Sequence, residues 1–186
     1  MDLTLLHRCQ AGDQEAFALL FDQHKNLVYR TAVLTLGDPT DAEDILQEVF
    51  VQVHRFLGSF DPARGAFTTW LYRITVNKCL NWRRRRSPEQ SLEETAEHAL
   101  RAPADMQNQQ AERESVQQAL GRLNRKLRVV VILRHYWDLS YAEIANILDL
   151  PLGTVKSRLN LAMRTLHKDL QGEPSSRVLS IPEVEK

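Results

Sequence analysis

Apolar residues recur every three to four positions along almost the whole chain, and almost no segment alternates with period two. That pattern commits the chain to helices, because a 3.6-residue period fills one helix face whereas a half-buried strand needs strict alternation. The expected fold class is all-α, as two small helical domains joined by a flexible linker. A short helix is expected near Leu3–Gln10, ending at Ala11-Gly12. Asp13 can cap a long helix with Phe17, Leu20, Phe21, Leu27, Val28 and Thr31 on one stripe, ending before Gly37. Asp38 as cap, with Pro39 at the first helical position, opens the next helix. Its stripe is Ile45, Leu46, Val49, Phe50, Val53 and Phe56. Gly58–Ala66 has loop composition, and an amphipathic helix follows from about Phe67 to Arg86.

The segment Ser140–Leu170 has a more specific form. Ser140 can cap a helix, Glu143 can close a capping box, and Leu139 with Ile144 can staple the entry. Ile144, Leu148, Val155 and Leu159 fall on inward faces, and Ala145 is small where two helices would cross. Asp149 stands in the turn, where a left-handed backbone is often required and Asp is tolerated better than most residues. The second helix then projects Thr154, Lys156, Ser157 and Arg158 outward. This is a helix-turn-helix whose second helix is shaped for the DNA major groove.

A formal net charge of zero, from 24 basic and 24 acidic residues, argues against DNA binding until it is mapped. From Arg64 to Arg86 there are seven basic residues and no acid; from Arg113 to Gln171 there are ten against five. Between them, Ser87 to Glu112 holds six acids and only Arg101. The chain thus carries two basic modules around an acidic connector. The expected division is a first domain over 1–87, a linker over 88–111 long enough to hold two domains apart, and a helix-turn-helix domain over 112–171. A disordered tail over 172–186 completes it.

Other classes are poorly supported. No apolar run is long enough to span a membrane, and the N-terminus lacks the form of a signal peptide. Cys9 and Cys79 are too few for a disulfide framework, which fits a reducing cytoplasm, and the six histidines have no metal-ligand spacing. No carboxylate, metal or nucleophile constellation suggests an enzyme, and neither a cofactor nor a metal is expected.

Two faces of the first module carry chemistry. Arg73, Asn77, Lys78 and the run Arg83, Arg84, Arg85 and Arg86 interleave with Trp70, Tyr72 and Trp82 on one helix. Arginines suit phosphates and aromatic rings suit unpaired bases, but the same aromatics suit a core, the preferred reading for Trp70, and Arg83–Arg86 also suit a solvated helix end. Asp41, Asp44, Gln47 and Glu48 share one face of the preceding helix, and an acidic face on a DNA-binding chain suits a protein partner.

Taken together, these residues resemble the bacterial sigma factors of the extracytoplasmic-function group, in the sigma-70 family. D-A-E-D-I-L-Q-E-V-F is similar to the family's helix for core RNA polymerase. F-D-P-A-R-G-A-F-T-T-W-L-Y-R-I-T-V-N-K-C-L-N-W-R-R-R-R is similar to its promoter-melting and minus-ten-reading segment. V-V-V-I-L-R-H-Y-W-D-L-S-Y-A-E-I-A-N-I-L-D-L-P-L-G-T-V-K-S-R-L is similar to its minus-thirty-five-reading domain. The resemblance implies that Asp44, Gln47 and Glu48 dock on the polymerase clamp helices, with Asp41 on the same face. It implies that the loop Asp61–Thr69, with Arg64 and Thr68, receives a flipped base beside Asn77. It further implies that Lys156, Ser157 and Arg158, flanked by Thr154 and Arg164, meet the minus-thirty-five element. The partners implied are core RNA polymerase, promoter DNA and an anti-sigma factor, with catalysis left to the polymerase.

Three departures stand out. Asn124 occupies a position where the family usually has Pro, Asp149 replaces the usual turn Gly, and Leu161 and Met163 stand where Arg is common. The competing reading is a one-component helix-turn-helix regulator of the LuxR type. It requires a sensor or receiver domain, and no βαβ pattern for a receiver is present in the first module.

Overall fold

The computed structural model describes residues 3–86 and 116–171, all of whose regular structure is helical. The expected linker 88–111 and tail 172–186 lie outside the described residues. The order is α1 (Leu3–Gln10), α2 (Gln14–Leu36), α3 (Pro39–Phe56), two short 3-10 turns (Leu57–Ser59 and Pro62–Arg64) and α4 (Phe67–Arg86). A helix over 116–122 (α5) follows, then α6 (Arg125–Val131), a π-helical turn (Ile132–Tyr136), α7 (Tyr141–Leu148) and α8 (Leu152–Gln171).

Local chemistry sets the helix ends. Asp13 accepts from Ala16 N, Gly37 closes α2 in the left-handed region (φ 81°), and Asp38 accepts from Thr40 N and Asp41 N with Pro39 behind it. Asn124, the departure from proline, is itself a cap: its side chain accepts from Leu127 N at 3.0 Å. An N-cap of this kind satisfies an amide that the helix cannot, which contributes about 1 kcal/mol.

The first core joins α1 to α4 through Leu5, Leu6, Leu20, Val28, Ile45, Val49, Val53 and Leu71, all buried. Gln10 ties α1 to the α3–α4 connection by donating to Leu57 O and Phe60 O. Phe56 differs from the sequence stripe: at the last position of α3 it is 47% exposed.

The second core is built from α5 to α8 around Leu123, Ile132, Leu133, Ile144, Ile147 and Val155, and it also takes in Leu34 of α2 and Tyr72 and Val76 of α4. The two modules are therefore in contact rather than held apart. Arg128 cements the contact. Only 8% exposed, its guanidinium donates to Thr35 O on α2 and to Gly121 O and Leu123 O within its own module. A buried cation needs such a set, because its desolvation is repaid only when its donors are satisfied. The π-helical turn inserts one residue and closes with Trp137 N donating to Ile132 O. It carries the chain to Trp137, whose ring lies 5.6 Å from that of Tyr72.

Candidate nucleic-acid and protein-docking surfaces

The outer face of α3 follows from its amphipathic pattern. With Ile45, Val49 and Val53 fully buried, Gln47 is exposed and Asp41, Asp44 and Glu48 are half-buried on the other side. The acidic face runs into exposed Val51 and Phe56. Asp44, Gln47, Glu48, Val51, Phe56, Lys78 and Trp82 line a shallow depression of about 500 Å³. An apolar centre within a charged rim, here Asp44 and Glu48 with Arg55 and Lys78, is the composition of a protein-docking patch. Lys78 Nζ lies 2.7 Å from Glu48 Oε2, so two residues assigned by sequence to different partners form one ion pair.

The loop before α4 is held by its own chemistry. Asp61 accepts from Ala63 N at 2.9 Å, Gly65 takes a positive φ of 154°, and Phe60, Phe67 and Trp70 pack together edge-on and tilted at centroid distances of 5.3–5.6 Å. Asp61 and Arg64 are exposed, and Thr68 and Thr69 are half-buried at the start of α4. Arg73 and Asn77 follow one turn apart on the exposed face, with Lys78 half-buried between α4 and α3. With Trp70, Asn81 and Trp82 they line a second depression of about 430 Å³. Asn81 escaped the sequence reading, although its spacing of four from Asn77 puts it on the same face.

Tyr72 cannot act as a stacking platform in this arrangement: it is 6% exposed beneath Trp137, and burial pushes its phenol pKa up. Arg73 Nη2 donates to Asn146 O on α7 at 2.9 Å. The side chains of Arg83, Arg84, Arg85 and Arg86 lie outside the described residues.

In the helix-turn-helix, Ser140 and Glu143 form the full capping box. Asp149 is left-handed at φ 52°, ψ 52°, and Leu150 N donates back to Ala145 O. Leu139 packs on the core as a staple should, and Leu148 is half-buried. On α8, Val155, Leu159 and Ala162 are buried, so Lys156, Ser157 and Arg164 face outward. Thr154 and Arg158 are half-buried on its flank. The geometry is that of a helix presented to a groove.

Comparison with known proteins bears on this arrangement. Residues 20–89 match Sigma-70 region 2 and residues 113–166 match Sigma-70 region 4. The RNA polymerase sigma-H factor of Pseudomonas aeruginosa is 36% identical over 182 residues, covering 91% of this chain and 94% of that protein. The extracytoplasmic-function sigma factor SigW of Bacillus subtilis is 33% identical over 180 residues, covering 89% and 95%. The sigma-E factor of Escherichia coli is 34% identical over 182 residues, covering 91% and 94%. The chain belongs to the extracytoplasmic-function sigma factors. The structure of CnrH in complex with the cytosolic domain of CnrY superposes with a TM-score of 0.66 at 27% identity, covering 91% of this chain and 97% of CnrH.

This sigma factor directs promoter-specific transcription, and the LuxR-type alternative falls because its first module matches a sigma region rather than a sensor. Among the described residues no helix is long and apolar enough to cross a membrane, and no His, Cys, Asp or Glu cluster is arranged to hold a metal. Cys79 is buried, which pushes its thiol pKa up to about 12.

Proposed function

We propose that the outer face of α3, with Asp41, Asp44, Gln47 and Glu48 around Val51 and Phe56, docks this sigma factor on core RNA polymerase. The loop 61–69 and the exposed side of α4 then meet the minus-ten element, through Arg64, Thr68, Thr69, Arg73, Asn77, Lys78 and the run Arg83–Arg86. The outer face of α8 meets the minus-thirty-five element. The single observation that carries this reading is that an acidic docking face, an aromatic-basic helix and a capped helix-turn-helix occur in order on one chain. The functional units are residues 1–87 and 112–171. Lys78 has a second role in this scheme, since its ion pair fixes the rotamer of Glu48 at the docking face.

The protein contributes binding and no catalysis, and it works in the cytoplasm, where core polymerase is found. An anti-sigma factor that covers both modules is a further proposed partner. Support comes from the family resemblance and from CnrH, recorded with the cytosolic domain of CnrY. The test is transcript sequencing from core polymerase with and without the protein on total genomic DNA. New transcripts with discrete start sites and a shared upstream pair of elements are expected, and start sites unchanged by the protein would contradict the proposal.

A further inference from the structure

The outward face of α8 is centred on residues other than most of those its sequence first suggested. Successive residues turn by about 100°, so the direction opposite Val155, Leu159 and Ala162 is occupied by Gly153, Ser157, Asn160, Leu161 and Arg164. Lys156 and Arg158 lie to either side of that line, at the reach expected for phosphate contacts. Asn160 is exposed, and among the described residues no side chain engages its amide; only its main-chain carbonyl accepts, from Arg164 Nε at 3.3 Å. Leu161 beside it is 48% exposed, an apolar residue on an otherwise polar strip. Gly153 stands on the same strip one turn before Ser157, and a Cβ there would meet nothing in the protein. A helical glycine that packing does not require weakens its helix, and it leaves room for an outside surface to approach the backbone.

We propose that Asn160 and Leu161 determine the upstream sequence preference of this protein: Asn160 selects adenine and Leu161 selects a neighbouring thymine, with Gly153 admitting the DNA backbone. The amide of Asn offers a donor and an acceptor in the spacing of adenine N7 and N6, a pattern unique to A·T pairs in the major groove. A leucine has no polar group to satisfy there and gains by covering the thymine C5-methyl. The departure at Leu161 from the cation common in the family thus exchanges a charge for a base-selective contact. The proposal rests on α8 being the duplex-facing helix, as set out above.

The experiment uses holoenzyme assembled from core polymerase and the full-length protein, on promoters randomised across the upstream element. Wild type should select adenine at one position, and Asn160→Ala should flatten that preference by roughly 5- to 150-fold while leaving other positions alone. Replacing that adenine by 7-deaza-adenine should weaken wild type and leave Asn160→Ala unchanged. Replacing the neighbouring thymine by uracil should cost wild type about 3- to 4-fold, the value of one buried methyl, and cost Leu161→Ala nothing. Gly153→Ala should hold or raise thermal stability while lowering upstream affinity. An Asn160→Ala variant that keeps the wild-type preference at every position, while Arg164→Ala weakens binding, would overturn the inference and leave the duplex-facing role of α8 standing. If wild type shows no upstream preference at all, that role fails and the inference with it.

Discussion

Arg73 on α4 donates a hydrogen bond to the main-chain carbonyl of Asn146 on α7, at 2.9 Å and 73 positions along the chain. A cation proposed for the minus-ten element is thus held against the first helix of the helix-turn-helix, the unit proposed for the minus-thirty-five element. Elements about 25 base pairs apart are separated by roughly 85 Å at ~3.4 Å per pair. Among the described residues the longest helix, α2 with 23 residues, extends about 35 Å. If the two modules meet the two elements as proposed, promoter loading is expected to part them. Cysteines introduced at exposed positions 54 and 168 can carry a dye pair, because the buried Cys79 thiol is unreactive and Cys9 can be replaced. Energy transfer should be high in the free protein and fall sharply once core polymerase and promoter are bound. Unchanged transfer would mean that the contact persists in the complex.

Arg128 offers a second test, of stability. Its guanidinium serves three carbonyls, on α2, in α5 and between α5 and α6. Arg128→Lys keeps the charge but loses the planar fork, and Arg128→Met leaves all three acceptors without this donor. Urea unfolding should show a loss of about 2–4 kcal/mol for Met, with Lys also below wild type. A Met variant as stable as wild type would show that the bonds contribute nothing net.

The capping box predicts a pH dependence. Glu143 accepts from the Ser140 hydroxyl and then from its main-chain N–H, which holds its carboxyl below the usual 4.5. A carboxylate with a depressed folded pKa contributes stability that is present above the unfolded value and lost as pH falls through the folded one. Glu143→Gln retains an acceptor without a titrating group. The stability gap between wild type and Glu143→Gln should therefore be constant above about pH 4.5 and close progressively below it. A gap that stays flat to pH 3 would remove the ionised box.

Much of this was legible in the chain because the signals are local. Asp13, Asp38 and Ser140 announce helix starts by short-range hydrogen bonds, and Asp149 marks a left-handed turn residue, as the structure bears out. What escaped depends on distant contacts. Tyr72 and Trp137 meet only because α4 packs beside the π-helical turn, and no periodicity encodes that encounter. Arg128 did leave a trace, as a lone cation in the run Leu127–Leu133, but its acceptor on α2 lies 93 positions away. At the site, spacing placed Asp44 and Glu48 on one face, whereas the Glu48–Lys78 pair required knowing that α3 lies against α4.

That pair also decides how the central claim is best tested. Reversing Glu48 would set two cations against each other at a half-buried position, so loss of binding would be confounded with loss of fold. Asp44 and Gln47 line the same depression without belonging to the Glu48–Lys78 ion pair, and Ile45 behind them is fully buried. Asp44→Lys with Gln47→Lys should leave circular dichroism and thermal stability within about 0.5 kcal/mol of wild type. The measurement is co-elution of the full-length protein with purified core RNA polymerase, wild type beside the double variant. Wild type should co-elute and the folded double variant should not, because like charges at a complementary interface cost several kcal/mol. A folded double variant that co-elutes as well as wild type would contradict the docking face, and a wild type that never co-elutes would contradict the sigma-factor account as a whole.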